Sequence, residues 1–293
     1  MNGSLLSLKA PSTFSFLFLL PLLALAGGGA HEKARILFEK TDYPASARIL
    51  EGIKDKSAAD LNLLGRDHFM MGEYKKATEL LEKAAQLEPQ VSAHWLWLGR
   101  CFGRRAELST FVTAPGYANK ARQNFERAVQ ADPSNAEALA DLFEYYLQAP
   151  GFLGGGLDKA QDLVERIGAA DPVEKQWAMA RLAEQKKDFK SAEAHLRRSI
   201  ELAPRQVGRI VDLAMFLAKR GRTPESDAIF AQAQRVDPNH PTYLWRRANA
   251  LIDGNRNLTE AKLLLEKYLS TQMQPDDDHK EEARKLLTKI HGA

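Results

Sequence analysis

From Ala77 to Leu87 the chain places small or apolar residues at Ala77, Leu80, Leu81, Ala84 and Leu87, three and four positions apart. Lys75, Lys76, Glu79, Glu82, Lys83 and Gln86 fill the places between. That spacing predicts a helix with one buried face. Gly72 suits a tight turn before it, and Pro89 keeps it from continuing. Upstream, Leu61, Leu64, Gly65 and His68 mark the inner face of a preceding helix, and Gly65 leaves room for a close neighbour. Residues 58–91 therefore read as one antiparallel helix hairpin.

The pattern returns. Small residues recur at Ala77, Ala121, Ala160, Ala192, Ser226 and Ala261. Pro89, Pro133, Pro172, Pro204 and Pro238 each follow twelve residues later, and Pro275 follows at fourteen. First-helix signals precede each, among them Trp95-Leu98-Gly99-Phe102, Leu139-Leu142-Tyr146, Leu213-Ala214-Leu217 and Leu244-Ala248-Leu251. A lone hairpin cannot bury its apolar stripe, so hairpins stack and each covers the next. On these residues the chain resembles the tetratricopeptide repeat family, with Trp95, Leu98, Gly99, Ala121, Phe125, Ala128 and Pro133 at its signature positions. The resemblance covers roughly residues 31–275. It implies an all-α fold, a right-handed α-solenoid of about six full repeats after a truncated first hairpin at 31–55. A final amphipathic helix within 276–293, with Ala283, Leu286, Leu287 and Ile290 on one side, is expected to cap the stack. Asp278 and Glu281 fit its N-terminal cap.

Two repeats depart from the plain length. The hairpin near 92–135 carries about ten extra residues between its helices, and the next carries about five. Both insertions contain the same idea, Ala114-Pro115-Gly116-Tyr117 and Ala149-Pro150-Gly151-Phe152. Pro and Gly predict sharp turns there, and loops of adjacent repeats emerge on one edge, which should bring Tyr117 and Phe152 together.

The N-terminus changes the picture of where the protein works. Lys9 leads into an apolar run from Phe14 to Ala26, too short for a bilayer span of about 20 residues. Ala24-Leu25-Ala26 offers a small-x-small cleavage site, so residues 1–26 read as a cleaved signal peptide and the protein as exported, periplasmic or extracellular. A first helix starting so near that cut should fray and serve as a cap. Once residues 1–26 are removed, no stable membrane span is expected.

Composition mostly excludes. A net charge of +3 lacks the basic excess of a nucleic-acid binder. Cys101 is the only cysteine, so no internal disulfide forms, and it reads as a small core residue. The seven histidines are scattered, and none makes the paired spacing of a helical zinc hydrolase. Asp276-Asp277-Asp278-His279 reads as a solvated helix start rather than a cation site. Gly154-Gly155-Gly156 precedes a helix, but without a preceding strand or a following Gly-Lys-Ser it reads as a turn, not a phosphate loop. No catalytic set, cofactor site or metal site emerges.

The resemblance also implies that first helices line a concave groove holding a protein or peptide segment. Carried position by position, partner-binding candidates are Asn62, Arg66, Arg100, Arg104, Trp177, Arg181 and Trp245, joined by Tyr117 and Phe152 on the insertions. Arginine forks suit carboxylates, and tryptophans make good anchors. Members that clamp a chaperone's terminal carboxylate use Lys and Asn at particular inner positions. Here Asn62 and Arg66 stand instead, so that clamp is lacking. The expected function is a noncatalytic adaptor. The alternative is a small-molecule or lipid-binding module using the two insertions and Phe143, Tyr145 and Tyr146.

Overall fold

The computed structural model describes residues 23–271 and 280–291, which form fifteen α-helices and no strand. Most of the apolar leader, the cleavage signal's upstream part and Asp276–His279 lie outside the described residues. The helices pair as antiparallel hairpins: α1 (Leu23–Glu39) with α2 (Tyr43–Glu51), α3 (Ala58–Met70) with α4 (Tyr74–Leu87), and α5 (Ser92–Glu107) with α6 (Ala114–Ala131). Then follow α7 (Ala136–Gln148) with α8 (Leu157–Ala170), α9 (Pro172–Gln185) with α10 (Phe189–Leu202), and α11 (Val207–Lys219) with α12 (Thr223–Val236). Last come α13 (Pro241–Asp253) with α14 (Leu258–Ser270), and the single α15 (Lys280–His291). Each helix packs on the next in sequence, which is an α-solenoid.

The recurring small residues sit on second helices, where the two helices of a hairpin pack closely. Ala77, Ala121, Ala160, Ala192, Ser226 and Ala261 are all buried. Ser226 is tolerated because its hydroxyl donates to the Ala214 carbonyl at 2.8 Å, leaving no orphaned polar group. Glycine marks the tightest crossing within a hairpin. A β-carbon at Gly99 would lie 2.6 Å from the Phe125 ring, and one at Gly65 would lie 2.7 Å from Leu81. The apolar core is correspondingly strung out along the chain rather than gathered at one centre.

Between first and second helices most hairpins use one backbone solution. At Thr41, Gly72, Lys187, Gly221 and Asn255 the chain turns left-handed, with φ from 46° to 79°. The following N–H then reaches back to the last helical turn, as Glu73 does to the His68 carbonyl at 2.8 Å and Arg222 to that of Leu217 at 3.0 Å. Side-chain caps start the helices: the Asp42, Asn135, Asp171 and Asp188 carboxylate or amide oxygens accept from the first turn, and Ser57 with Asp60 forms a reciprocal box.

The two insertions depart from their sequence reading. In the first, the added residues lengthen both helices, to 16 and 18 residues against 13 and 14 in α3 and α4. Ala114-Pro115-Gly116-Tyr117 is the first turn of α6, not a loop. Proline lacks only a donor that a helix start leaves unpaired anyway. In the second, Ala149 ends α7, and Gly151–Leu153 makes one 3-10 turn before Gly154 at φ 84°. The same four-residue idea has two conformations because only the second is followed by glycines that break the helix.

At the N-terminus, α1 does not merely fray: Ala34 and Phe38 are buried against α2 and α3, and His31 Nδ1 lies 2.8 Å from Asp60. At the other end Ala283 is buried, and Leu286, Leu287 and Ile290 pack on the α13–α14 core. The chain curls far enough for Lys280 Nζ to donate to Thr41 Oγ1 at 3.0 Å, joining the last helix to the first turn.

Candidate functional site

First helices of successive hairpins set side chains four residues apart along one concave wall. The sequence places a row of arginines there, and the structure supplies each with a partner from a neighbouring helix. Arg66 on α3 lies between the Phe38 ring, 4.4 Å away, and the Trp97 ring at 4.7 Å. Arg100 on α5 also lies 4.7 Å from the Trp97 ring centroid, and donates to Asp141 at 2.6 Å and Glu137 at 3.0 Å, both on α7. Arg104 pairs with Glu107 and lies over the Tyr74 ring. Arg181 on α9 grips Glu144 of α7 with both prongs, Nε at 2.9 Å and Nη2 at 3.1 Å. That carboxylate raises the Arg181 guanidinium further above its ordinary range. Downstream, Arg209 of α11 bridges Glu174 of α9 and Asp212. These contacts rivet adjacent repeats. Being partly solvated, each contributes on the order of 1 kcal/mol or less.

Other sequence candidates are distributed unequally. Asn62 is buried beneath the wall instead of facing the groove. So are Leu96 and Val211. Tyr117 stacks on Phe102, with ring centroids 6.3 Å apart, while its hydroxyl accepts from Arg105 at 2.8 Å. Phe152 stands 81% exposed on the second insertion.

Three candidates do converge. Trp177, Arg181 and Trp245 line one hollow of about 530 Å³, with Glu144, Glu184, Asp212, Met215, Lys219 and Arg246 around them. The helices α7, α9, α11 and α13 all contribute. Phe143 and Arg209 hold Trp177 in place, and Tyr268 backs Trp245 at 5.5 Å. Desolvation raises the Asp212 carboxyl against the pull of Arg209. The hollow thus offers two indole side chains and both signs of charge.

Sequence reasoning missed the exposed apolar residues of the first insertion, Leu108, Phe111 and Val112, at 68%, 89% and 71% exposure. The available signal was their presence in a stretch with no helical period and so no buried face to join. Among the described residues no group of three or more His, Cys, Asp or Glu side chains is arranged to hold a metal, and no helix is long and apolar enough to cross a membrane.

Known proteins share this fold. The tetratricopeptide repeat models fit residues 58–91 and 176–206. A tetratricopeptide repeat protein from Parabacteroides merdae superposes with a TM-score of 0.60 at 16% identity, over 91% of this chain and 99% of its own. One from Thermus thermophilus gives 0.54 at 19% identity, over 65% and 98%. In sequence, the CTR9 homolog of Arabidopsis thaliana is 30% identical over 139 residues, 45% of this chain but 12% of that protein. The chain carries tetratricopeptide repeats at residues 58–91 and 176–206 and folds as an α-solenoid.

Proposed function

We propose that the protein is a noncatalytic, exported adaptor that holds a protein segment along its concave face. The observation that carries this reading is the hollow into which α7, α9, α11 and α13 each send side chains, with Trp177 and Trp245 among them. Repeat folds of this kind commonly serve as interaction scaffolds. The arginines are not the best probes, because they are engaged between repeats; the tryptophans are. A photo-crosslinking residue in place of Met215 is expected to capture a partner in the native host that one at Leu263, exposed on α14, does not. The captured segment should then bind Trp177→Ala/Trp245→Ala at least about tenfold more weakly, a loss of roughly 1.4 kcal/mol. Equal capture from both positions removes the groove from the function.

Export rests on the apolar run and the Ala24-Leu25-Ala26 signal. The buried contacts of α1, at Ala34 and Phe38, lie beyond Ala26 and survive its removal. The intact mass of protein from its native host is expected to correspond to a chain beginning at Gly27; a chain beginning at Met1 refutes cleavage.

A further inference from the structure

A second hollow, of about 490 Å³, lies beneath the two insertions and opens beside the arginine row. Its walls come from five elements: Phe69 on α3, Gly103 and Ala106 on α5, Ala118 and Phe125 on α6, Tyr145 on α7 and Leu153 in the 3-10 turn. Its origin is visible in the repeat. Gly103 stands 34 residues after Phe69, so the extended hairpin has a hydrogen where the plain one has a ring. A β-carbon added at Gly103 would meet nothing within 4 Å. The walls are more apolar than polar, and the size falls within the range of about 300–1,000 Å³ typical of ligand sites.

The surroundings restrict the occupant. Arg100 is bound to Asp141 and Glu137, Arg104 to Glu107, and the neighbouring Arg181 to Glu144. On the rim itself, Arg100 and Arg104 face Glu107, Asp141 and Glu144, one negative charge in excess. A carboxylate or phosphate head entering here would have to displace an existing partner and meet that excess. An apolar group with a cation beside it would not. Exposed apolar residues also adjoin the lining residues along the chain. Exposed Leu108, Phe111 and Val112 lie between lining residues Glu107 and Ala118, and exposed Phe152 lies between lining residues Pro150 and Leu153. The occupant is therefore longer than one side chain.

We propose that this hollow is the anchor site for a bulky apolar residue of a partner polypeptide, Leu, Phe or Trp, flanked by Lys or Arg, with the two insertions gripping the adjoining residues. This rests on the adaptor reading and adds the chemistry of the segment.

The test uses the folded chain and a positional library of fluorescent decapeptides, with Leu, Phe or Trp fixed at the centre and either Lys or Glu on both sides. Wild type is expected to favour the Lys-flanked aromatic peptides over Glu-flanked ones by at least tenfold. Gly103→Leu fills the hollow from α5 without a clash at its β-carbon, and should lose that binding at least tenfold while melting no lower than wild type. Ala118→Met fills it from the opposite wall and serves as the second variant should the first not fold. Preference for Glu-flanked peptides, or undiminished binding by folded filled variants, overturns the proposal. If binding is lost only in Trp177→Ala/Trp245→Ala, the adaptor reading survives and the anchor site does not. Sodium decanoate binding wild type but not Gly103→Leu would make the hollow a lipid-tail site and overturn the peptide assignment. Failure of wild type to bind any library member counts against both readings.

Discussion

The first helices of the α3–α4 and α5–α6 hairpins follow one pattern 34 residues apart, and two of the differences between them are instructive. Gly65 and Gly99 both let the paired helix come close, and Arg66 and Arg100 both lie on Trp97. Asp67, however, answers to Cys101, and Phe69 to Gly103. Both residues of the first pair are fully buried. Burial pushes the Asp67 carboxyl up to about 7 against its hydrogen bond from Ser46 at 2.8 Å, and pushes the Cys101 thiol up to about 12. The plain hairpin fills its space and stores a charge cost. The extended one is neutral there, but leaves a hollow. Stacking constrains the face where helices touch and leaves the edge of each repeat free to diverge.

The largest expected effect probes the buried acid. Because the folded-state pKa of Asp67 lies above the unfolded value near 4, the folded chain holds a proton that the unfolded chain has released. The contribution of Asp67 to stability should therefore be fully present below about pH 4, be lost through the interval to about pH 7, and level off above it. It amounts to up to about 4 kcal/mol, against the opposite slope of groups such as His68 and Asp60 whose folded-state values are lowered. Asp67→Asn should flatten this slope in urea denaturation across pH 4–8, whatever its cost at any one pH. Cys101→Ser should leave the slope unchanged, and if Asp67→Asn does too, another group carries it.

Next in size is the close crossing. Gly99→Val would press on the Phe125 ring and should cost about 1–3 kcal/mol, read from the urea midpoint. Gly65→Val meets the more adaptable Leu81 and should cost less; a reversed order would mean that α6, not α4, yields more readily.

The turns come third. Gly72, at φ 79°, should lose about 1 kcal/mol on conversion to Ala, whereas Lys187→Gly, relieving a φ of 60°, should gain up to about 1 kcal/mol in thermal unfolding. Ser109→Ala in the longer α5–α6 connection should change nothing measurable. The smallest effect belongs to the join between the chain's ends. Lys280→Ala removes one bond to Thr41, at the first hairpin's counterpart of the Gly72 turn, and should cost under about 0.5 kcal/mol. A larger loss would show the two ends acting as one unit.

Much of the fold was legible because helix pairing is periodic and local. The alanine series, Gly65, Gly99 and the glycine turns announce themselves at fixed offsets, and their burial follows from a helical face needing cover. Ala114–Tyr117 misled, since Pro and Gly serve a helix start as readily as a loop, and only the residues that follow decide. The candidate site was less legible. Placing Arg66, Arg100 and Arg181 on the concave wall needed only the period. Finding them already engaged by Trp97, Asp141 and Glu144 needed the distances between repeats.

By itself, then, the sequence determined the helices, their pairing and the order of stacking, because each depends on contacts within about one repeat. Only the tertiary structure decided that the arginines spend their charge on neighbours, that Trp177 and Trp245 share one hollow, that glycine at 103 opens another, and that Lys280 returns to Thr41. Those outcomes depend on how small rotations between hairpins accumulate, and no single repeat encodes the sum.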